Sequence, residues 1–121
     1  MNKGKILWQD LTVENAEQVR DFYCEVIGWN YEKVTVNDYD DFNMIHPETK
    51  EVVAGICHKK GSNKALPSQW LNYVLVQDIE KSIERCIALN GIVVEGPRNM
   101  GKSKFAVIRD PAGAYFALMQ E

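Results

Sequence analysis

The chain has 121 residues, 45% of them hydrophobic and 26% charged, with a net charge of −3; this suits one soluble domain burying roughly two thirds of the surface its unfolded chain exposes. The acid excess, with no basic stripe interleaved with aromatics, argues against nucleic acid. No run approaches the roughly 18 apolar residues of a membrane span, and no signal-peptide core follows Met-Asn-Lys-Gly-Lys.

In chain order, residues 5–13 alternate as a strand and residues 15–28 read as a helix. Asn15 stands where a cap accepts N–H groups, Glu17 favours the positive helix end, and Gly28 can close the C-terminus in the left-handed conformation. Ala16, Val19, Phe22, Tyr23, Val26 and Ile27 recur at helical spacing between them. Tyr31–Val36 is β-branched and aromatic, and Asn37 and Asp38 end it. The acids Asp38, Asp40 and Asp41 lack calcium-loop spacing and read as a solvated turn. Phe42–His46 and Val52–Cys57 form a predicted hairpin around residues 47–50. Residues 59–69 have the composition of an exposed linker. Strands are then expected at 70–77, 92–95, 104–109 and 114–119, with a helix between Asp78 and Gly91 and a turn at Asp110-Pro111-Ala112-Gly113.

The second half restates the first. With a shift of 63 residues, Val13, Asn15, Glu17 and Gly28 fall on Val76, Asp78, Glu80 and Gly91, and Phe42 and Ile45 fall on Phe105 and Ile108. The matched positions do matched work: cap, first-turn acid, helix stop. The predicted fold is therefore α+β, a tandem pair of βαβββ modules in one 1–121 domain, with module 1 at about 5–58 and module 2 at about 70–121. Cys24 and Cys86 fall inside the predicted helices, and the odd count of three cysteines reads as reduced thiols of a cytoplasmic protein.

Gly96-Pro97-Arg98-Asn99-Met100-Gly101-Lys102-Ser103 spells a phosphate-binding loop. Its mechanism needs a helix next, because a helix N-terminus holds the phosphates. The following Lys104-Phe105-Ala106-Val107-Ile108 is strand-like, and only 18 residues remain after Ser103. A polar hairpin carrying Arg98, Lys102 and Lys104 is the better reading.

Several phrases carry a resemblance: Trp8-Gln9-Asp10-Leu11-Thr12, Phe22-Tyr23 before Gly28-Trp29, Trp70-Leu71 leading to Val76-Gln77-Asp78, and Phe105-Ala106-Val107 with Asp110-Pro111-Ala112-Gly113. Together with the tandem modules, they make the chain resemble the glyoxalase-like branch of the vicinal oxygen chelate superfamily, which includes bleomycin resistance proteins and extradiol dioxygenases. The resemblance implies curled mixed sheets making a barrel with an enclosed cleft, a small-molecule ligand bound between the modules, and a homodimer. It also implies that metal-using members place ligands on the first and fourth strands of each module. Here those positions are Trp8, Leu71, Ala54 and Ala117, which offer no oxygen, nitrogen or thiolate donor. No metal or other cofactor is therefore expected. The alternative is one divalent metal serving a glyoxalase-type lyase or a dioxygenase, with the register displaced to Gln9 and Asn72.

Strand parity then nominates the cleft lining. Trp8 and Asp10 share one face of the first strand, and Tyr73 takes the equivalent place in module 2. Trp70 adds stacking surface, while Met44, Ile56, Ala117 and Met119 would make an apolar floor. His58 shares parity with Ala54 and Ile56 and would give polar selectivity beside Asp10. Cys57, on the opposite parity without a histidine or cation, reads as packing rather than a nucleophile. The expectation is a metal-free protein that binds an apolar or aromatic organic molecule, with no assigned catalytic residue.

Overall fold

The computed structural model describes residues 3–36 and 38–121; Asn37, expected with Asp38 to end the strand from Tyr31, lies outside them. Among the described residues the order is β1 (Ile6–Val13), α1 (Ala16–Ile27), β2 (Asn30–Val36), β3 (Tyr39–Ile45), β4 (Val52–His58), a 3-10 turn (Gly61–Asn63), β5 (Trp70–Leu75), α2 (Ile79–Ala88), β6 (Ile92–Met100), β7 (Ser103–Arg109) and β8 (Tyr115–Gln120). This is the expected α+β chain with βαβββ written twice. Two compact units result, Gln9–Trp70 and Leu71–Glu121, the latter including the described residues up to Trp8. They are called here the first and second modules.

In the first module β1 runs parallel to β4, while β3 pairs antiparallel with both β4 and β2. Helix α1 covers one side of this open four-stranded sheet. Leu11, Ala16, Phe42, Met44, Ala54 and Ile56 form the buried core there, with Val19, Tyr23, Cys24, Trp29 and Trp70 packed against it. Burying the larger of these, Leu11, Phe42, Met44 and Ile56, stabilises by about 1.5–3 kcal/mol each. The Arg20 guanidinium lies 4.2 Å from the Tyr31 ring centre and 4.7 Å from that of Phe42, closing the margin of the core with cation–π contacts. The segment read as an exposed linker belongs to this module, and its Leu66 is buried.

In the second module β5 runs parallel to β8, which pairs antiparallel with β7, and β7 with β6. Helix α2 packs through Ile79, Ile83 and Cys86 on Ala106, Ile108, Phe116 and Leu118. Its N-cap is as expected: the Asp78 carboxylate accepts the Lys81 N–H at 3.1 Å. Asn15, its counterpart, makes no side-chain cap bond to α1.

The two helix stops differ as well. Gly28 takes the left-handed conformation at φ 93° and returns its N–H to the Cys24 carbonyl at 2.9 Å. In the second module Asn90, at φ 71°, makes that turn instead. Gly91 is required for closeness: a Cβ there would stand 2.5 Å from Cys86 Sγ and 3.0 Å from the Cys86 carbonyl oxygen.

The phosphate-loop text forms the β6–β7 hairpin, with Gly101 and Lys102 at its turn and no helix after it. Strand β6 also corrects the repeat register. It shifts register against β7 between Val93 and Glu95 and again between Glu95 and Arg98, whereas β2 pairs with β3 without interruption. Consequently Phe42 and Met44 lie beneath α1 where Ala106 and Ile108 lie beneath α2, and Phe105 is not the structural counterpart of Phe42.

Candidate functional site

Each sheet has a face turned away from its helix, and strand alternation decides what stands on it. In the first module the helix-facing Leu11, Phe42, Met44, Ala54 and Ile56 leave Asp10, Asp41, Asn43, Gly55 and Cys57 on the opposite side. Backbone register brings them together: Asp10 and Asn43 both sit beside Gly55, and Thr12 sits beside Cys57. Asp10, Asp41, Asn43 and Cys57 are half-buried. Asn43 Nδ2 donates to Glu32 Oε1 at 3.1 Å, which fixes the amide's orientation.

Asp41 is the hub of this face. Its Oδ1 accepts the His58 N–H at 2.8 Å, and its carboxylate also bonds the Cys57 thiol. Burial holds the Asp41 carboxyl above the ordinary carboxylate range, with the His58 N–H pulling the other way. Burial likewise pushes the Cys57 thiol far up, and the carboxylates of Asp10 and Asp41 add to the effect. The thiol is therefore neutral at physiological pH and acts as a hydrogen-bond donor, not as a nucleophile.

The corresponding face of the second module is apolar and aromatic. Tyr73 and Phe105 have ring centres 6.2 Å apart, and Ala117 pairs with both Tyr73 and Val107. Leu71, Tyr73, Phe105, Val107 and Ala117 are buried, while Met119, opposite Phe105, is half-buried. Arg98 lays its guanidinium 4.4 Å from the Phe105 ring centre and reaches Glu95 at 3.5 Å.

The predicted site residues divide accordingly. Asp10 stands on the polar face of the first module; Tyr73, Ala117 and Met119 stand on the apolar face of the second; Trp8 is half-buried on β1. Met44 and Ile56 do not line a sheet face open to a ligand, because both are fully buried beneath α1. His58 shares their side, 4% exposed, with Nε2 3.2 Å from Glu17 Oε2 on α1. Trp70 also belongs to the α1 core: its Nε1 donates to Tyr23 Oη at 3.0 Å, and its ring packs edge-on against Tyr23 and Trp29.

The physical reason is register. Ala117 maps by face onto Gly55, not Ala54, since Asp10 pairs with Gly55 as Tyr73 pairs with Ala117. Asp41 was missed because a run of acids resembles a turn, and Asn43 because Met44, its neighbour in the predicted strand Phe42–His46, was assigned to the lining instead. The signal was present, since they alternate with Phe42 and Met44 at the period of a half-buried strand.

The corrected register leaves the metal question on the same residue types. Trp8, Gly55, Leu71 and Ala117 at the first- and fourth-strand positions carry no ligating atom in their side chains suited to a divalent ion. Among the described residues no group of three or more His, Cys, Asp or Glu is placed to hold one. The residues present do not fit a metal centre of that plan.

Comparison with known proteins gives a consistent picture. Residues 5–118 match the family described as the Glyoxalase/Bleomycin resistance protein/Dioxygenase superfamily. The chain is 24% identical over 118 residues to the "Putative glyoxylase CFP32" of Mycobacterium tuberculosis, covering 97% of this chain and 44% of that protein. It is 25% identical over 130 residues to the "Anthracycline biosynthesis protein DnrV" of Streptomyces peucetius, covering 98% and 47%. The chain thus spans less than half the length of these curated relatives. Among solved structures, a glyoxalase/bleomycin resistance protein/dioxygenase superfamily member from Vibrio splendidus 12B01 superposes with a TM-score of 0.61 at 15% identity, over 94% of this chain and 97% of that one.

Proposed function

The chain belongs to the Glyoxalase/Bleomycin resistance protein/Dioxygenase superfamily, and from that premise we propose that it binds a small organic molecule, apolar or aromatic in part, without a metal ion. The observation carrying this reading is the side-chain set at the first- and fourth-strand positions: indole at Trp8, hydrocarbon at Leu71 and Ala117, and a bare backbone at Gly55. Lewis-acid chemistry needs donors there. Binding does not.

The polar face of the first module supports recognition of specific groups on a ligand. Asp41 accepts the His58 N–H and the Cys57 thiol, Asp10 sets a second carboxylate on the same face, and Asn43 is oriented by Glu32. On the second module Met119, beside Phe105 and Tyr73, offers adaptable apolar contact. Aromatic surface with a few placed polar groups is the usual make-up of a small-molecule site. The proposal extends to a homodimer in a reducing, cytoplasmic compartment, which the three free thiols support.

Tryptophan fluorescence against a panel of aromatic metabolites and drugs tests the reading, alongside elemental analysis of protein purified without chelators. Saturable quenching by at least one apolar or aromatic compound, with no stoichiometric metal, is expected. A stoichiometric transition metal whose removal abolishes ligand binding would replace this reading with a metal-dependent lyase or dioxygenase.

A further inference from the structure

The cations of β6 and β7 are unequally matched. Arg98 is met by Glu95 at 3.5 Å and lies over the Phe105 ring, and Lys104 is met by Glu80 at 3.3 Å. Arg109, the last residue of β7, is half-buried, yet its guanidinium makes no hydrogen bond, ion pair or ring contact with any described residue. A charge drawn partly out of water ordinarily has a partner. We propose that Arg109 receives the carboxylate of an aromatic or apolar organic acid on the open face of the second module, an inference that rests on the small-molecule reading above and narrows it to a chemical class.

Strand parity puts the side chain on the face turned away from α2. Ala106 and Ile108 pack beneath that helix, so Phe105, Val107 and Arg109 take the other side. In the ladder Arg109 stands between Ile92 of β6 and Tyr115 of β8. Its Nε is enclosed without a protein acceptor, and the enclosure does not extend to the two terminal nitrogens. Two acids lie near it in the chain or the ladder, and both are engaged elsewhere. Asp110 Oδ1 accepts the Ala112 and Ala114 N–H groups of its own turn at 2.8 and 3.0 Å. Glu95, whose ladder partner is Val107, is turned to Arg98.

Charge and shape then select the ligand. A guanidinium presents its N–H groups in a planar fork that matches the two oxygens of a carboxylate. One cation balances one negative charge. The remainder of this face, including Leu71, Tyr73, Phe105 and Val107, is buried and uncharged, so a dianionic phosphate would hold its second charge unbalanced against it. Beside the guanidinium, half-buried Tyr115 and exposed Ile92 offer aromatic and aliphatic surface to the body of the acid.

Calorimetric titration of the full chain with benzoate, phenylacetate and 1-naphthoate, each beside its neutral primary amide, tests the proposal, with phenyl phosphate as a separate arm. At least one acid is expected to bind roughly tenfold more tightly than its amide. Arg109→Met, which keeps most of the side chain's length without its charge, should bring that pair to within about twofold. Arg109→Lys should keep only part of the preference, because an ammonium holds the charge without the fork. No described residue depends on the guanidinium, so the Met variant should melt no lower than the parent chain. A lower midpoint would reveal a structural partner and overturn the assignment. Equal affinity for acid and amide in the parent chain, a preference that survives Arg109→Met, or tighter binding of phenyl phosphate would also overturn it, leaving the small-molecule reading in place. Binding of none of these compounds, acid or amide, would overturn both.

Discussion

Cys57 shows how strongly surroundings set the chemistry of one side chain. Its thiol donates to Asp41 with the Asp10 carboxylate close by, so forming a thiolate would bring a third negative charge to the face. Alkylation by iodoacetamide at mildly alkaline pH should accordingly be at least about a hundredfold slower in the native protein than in denaturant; comparable rates would contradict the assignment. Asp41 carries the matching pH signature. Its carboxyl is raised, first by burial, so the folded chain holds that proton more tightly than the unfolded chain. Such a contribution is complete below the unfolded value of about 4 and is lost as pH rises through the raised native value. Asp41→Asn should therefore gain stability relative to the parent chain as pH climbs toward neutrality, as read by urea denaturation. A constant gap, or one moving the other way, would remove Asp41 as the source. Neither residue's environment was legible in composition, because a neutral thiol between carboxylates depends on cross-strand register, and register is a long-range property.

At the scale of elements, the repeat is legible in outline and misleading in detail. Caps, first-turn acids and helix stops recur at one spacing, and both helices form where that spacing places them. Their terminal chemistry has diverged. Asp78 caps α2 through the Lys81 N–H, whereas Asn15 caps nothing with its side chain. Asp78→Ala is thus expected to cost about 1 kcal/mol and Asn15→Ala at most a few tenths, measured by chemical denaturation. Equal losses would show that Asn15 caps α1 in solution. The face of β4 was misassigned for a related reason. The register shifts in β6 alter the correspondence at β7, and the irregular β3–β4 hairpin spans more residues than β7–β8, so a constant offset cannot carry Ala117 onto its partner. A one-residue error transfers a side chain to the other side of its sheet, and it sent Met44, Ile56 and His58 to the wrong one.

For the whole molecule, the α+β class and the two-module plan were legible because turn and helix signals recur in the same order twice. The ligand was not, since binding specificity rests on a few groups whose arrangement no periodicity records. Chelator and Mg-ATP should each leave the thermal unfolding midpoint unchanged, because anything bound to the native state alone would raise it by mass action. A fall with chelator would restore a structural metal, and a rise with Mg-ATP would restore the phosphate loop. The tryptophans offer a way of watching one module by itself. Trp29 and Trp70 have ring centres 6.1 Å apart at 81°, locked by the same Tyr23 that anchors α1. Indoles so close and so oriented couple their transition dipoles, giving the first module a chiroptical band of its own that disappears when α1 lifts from the sheet.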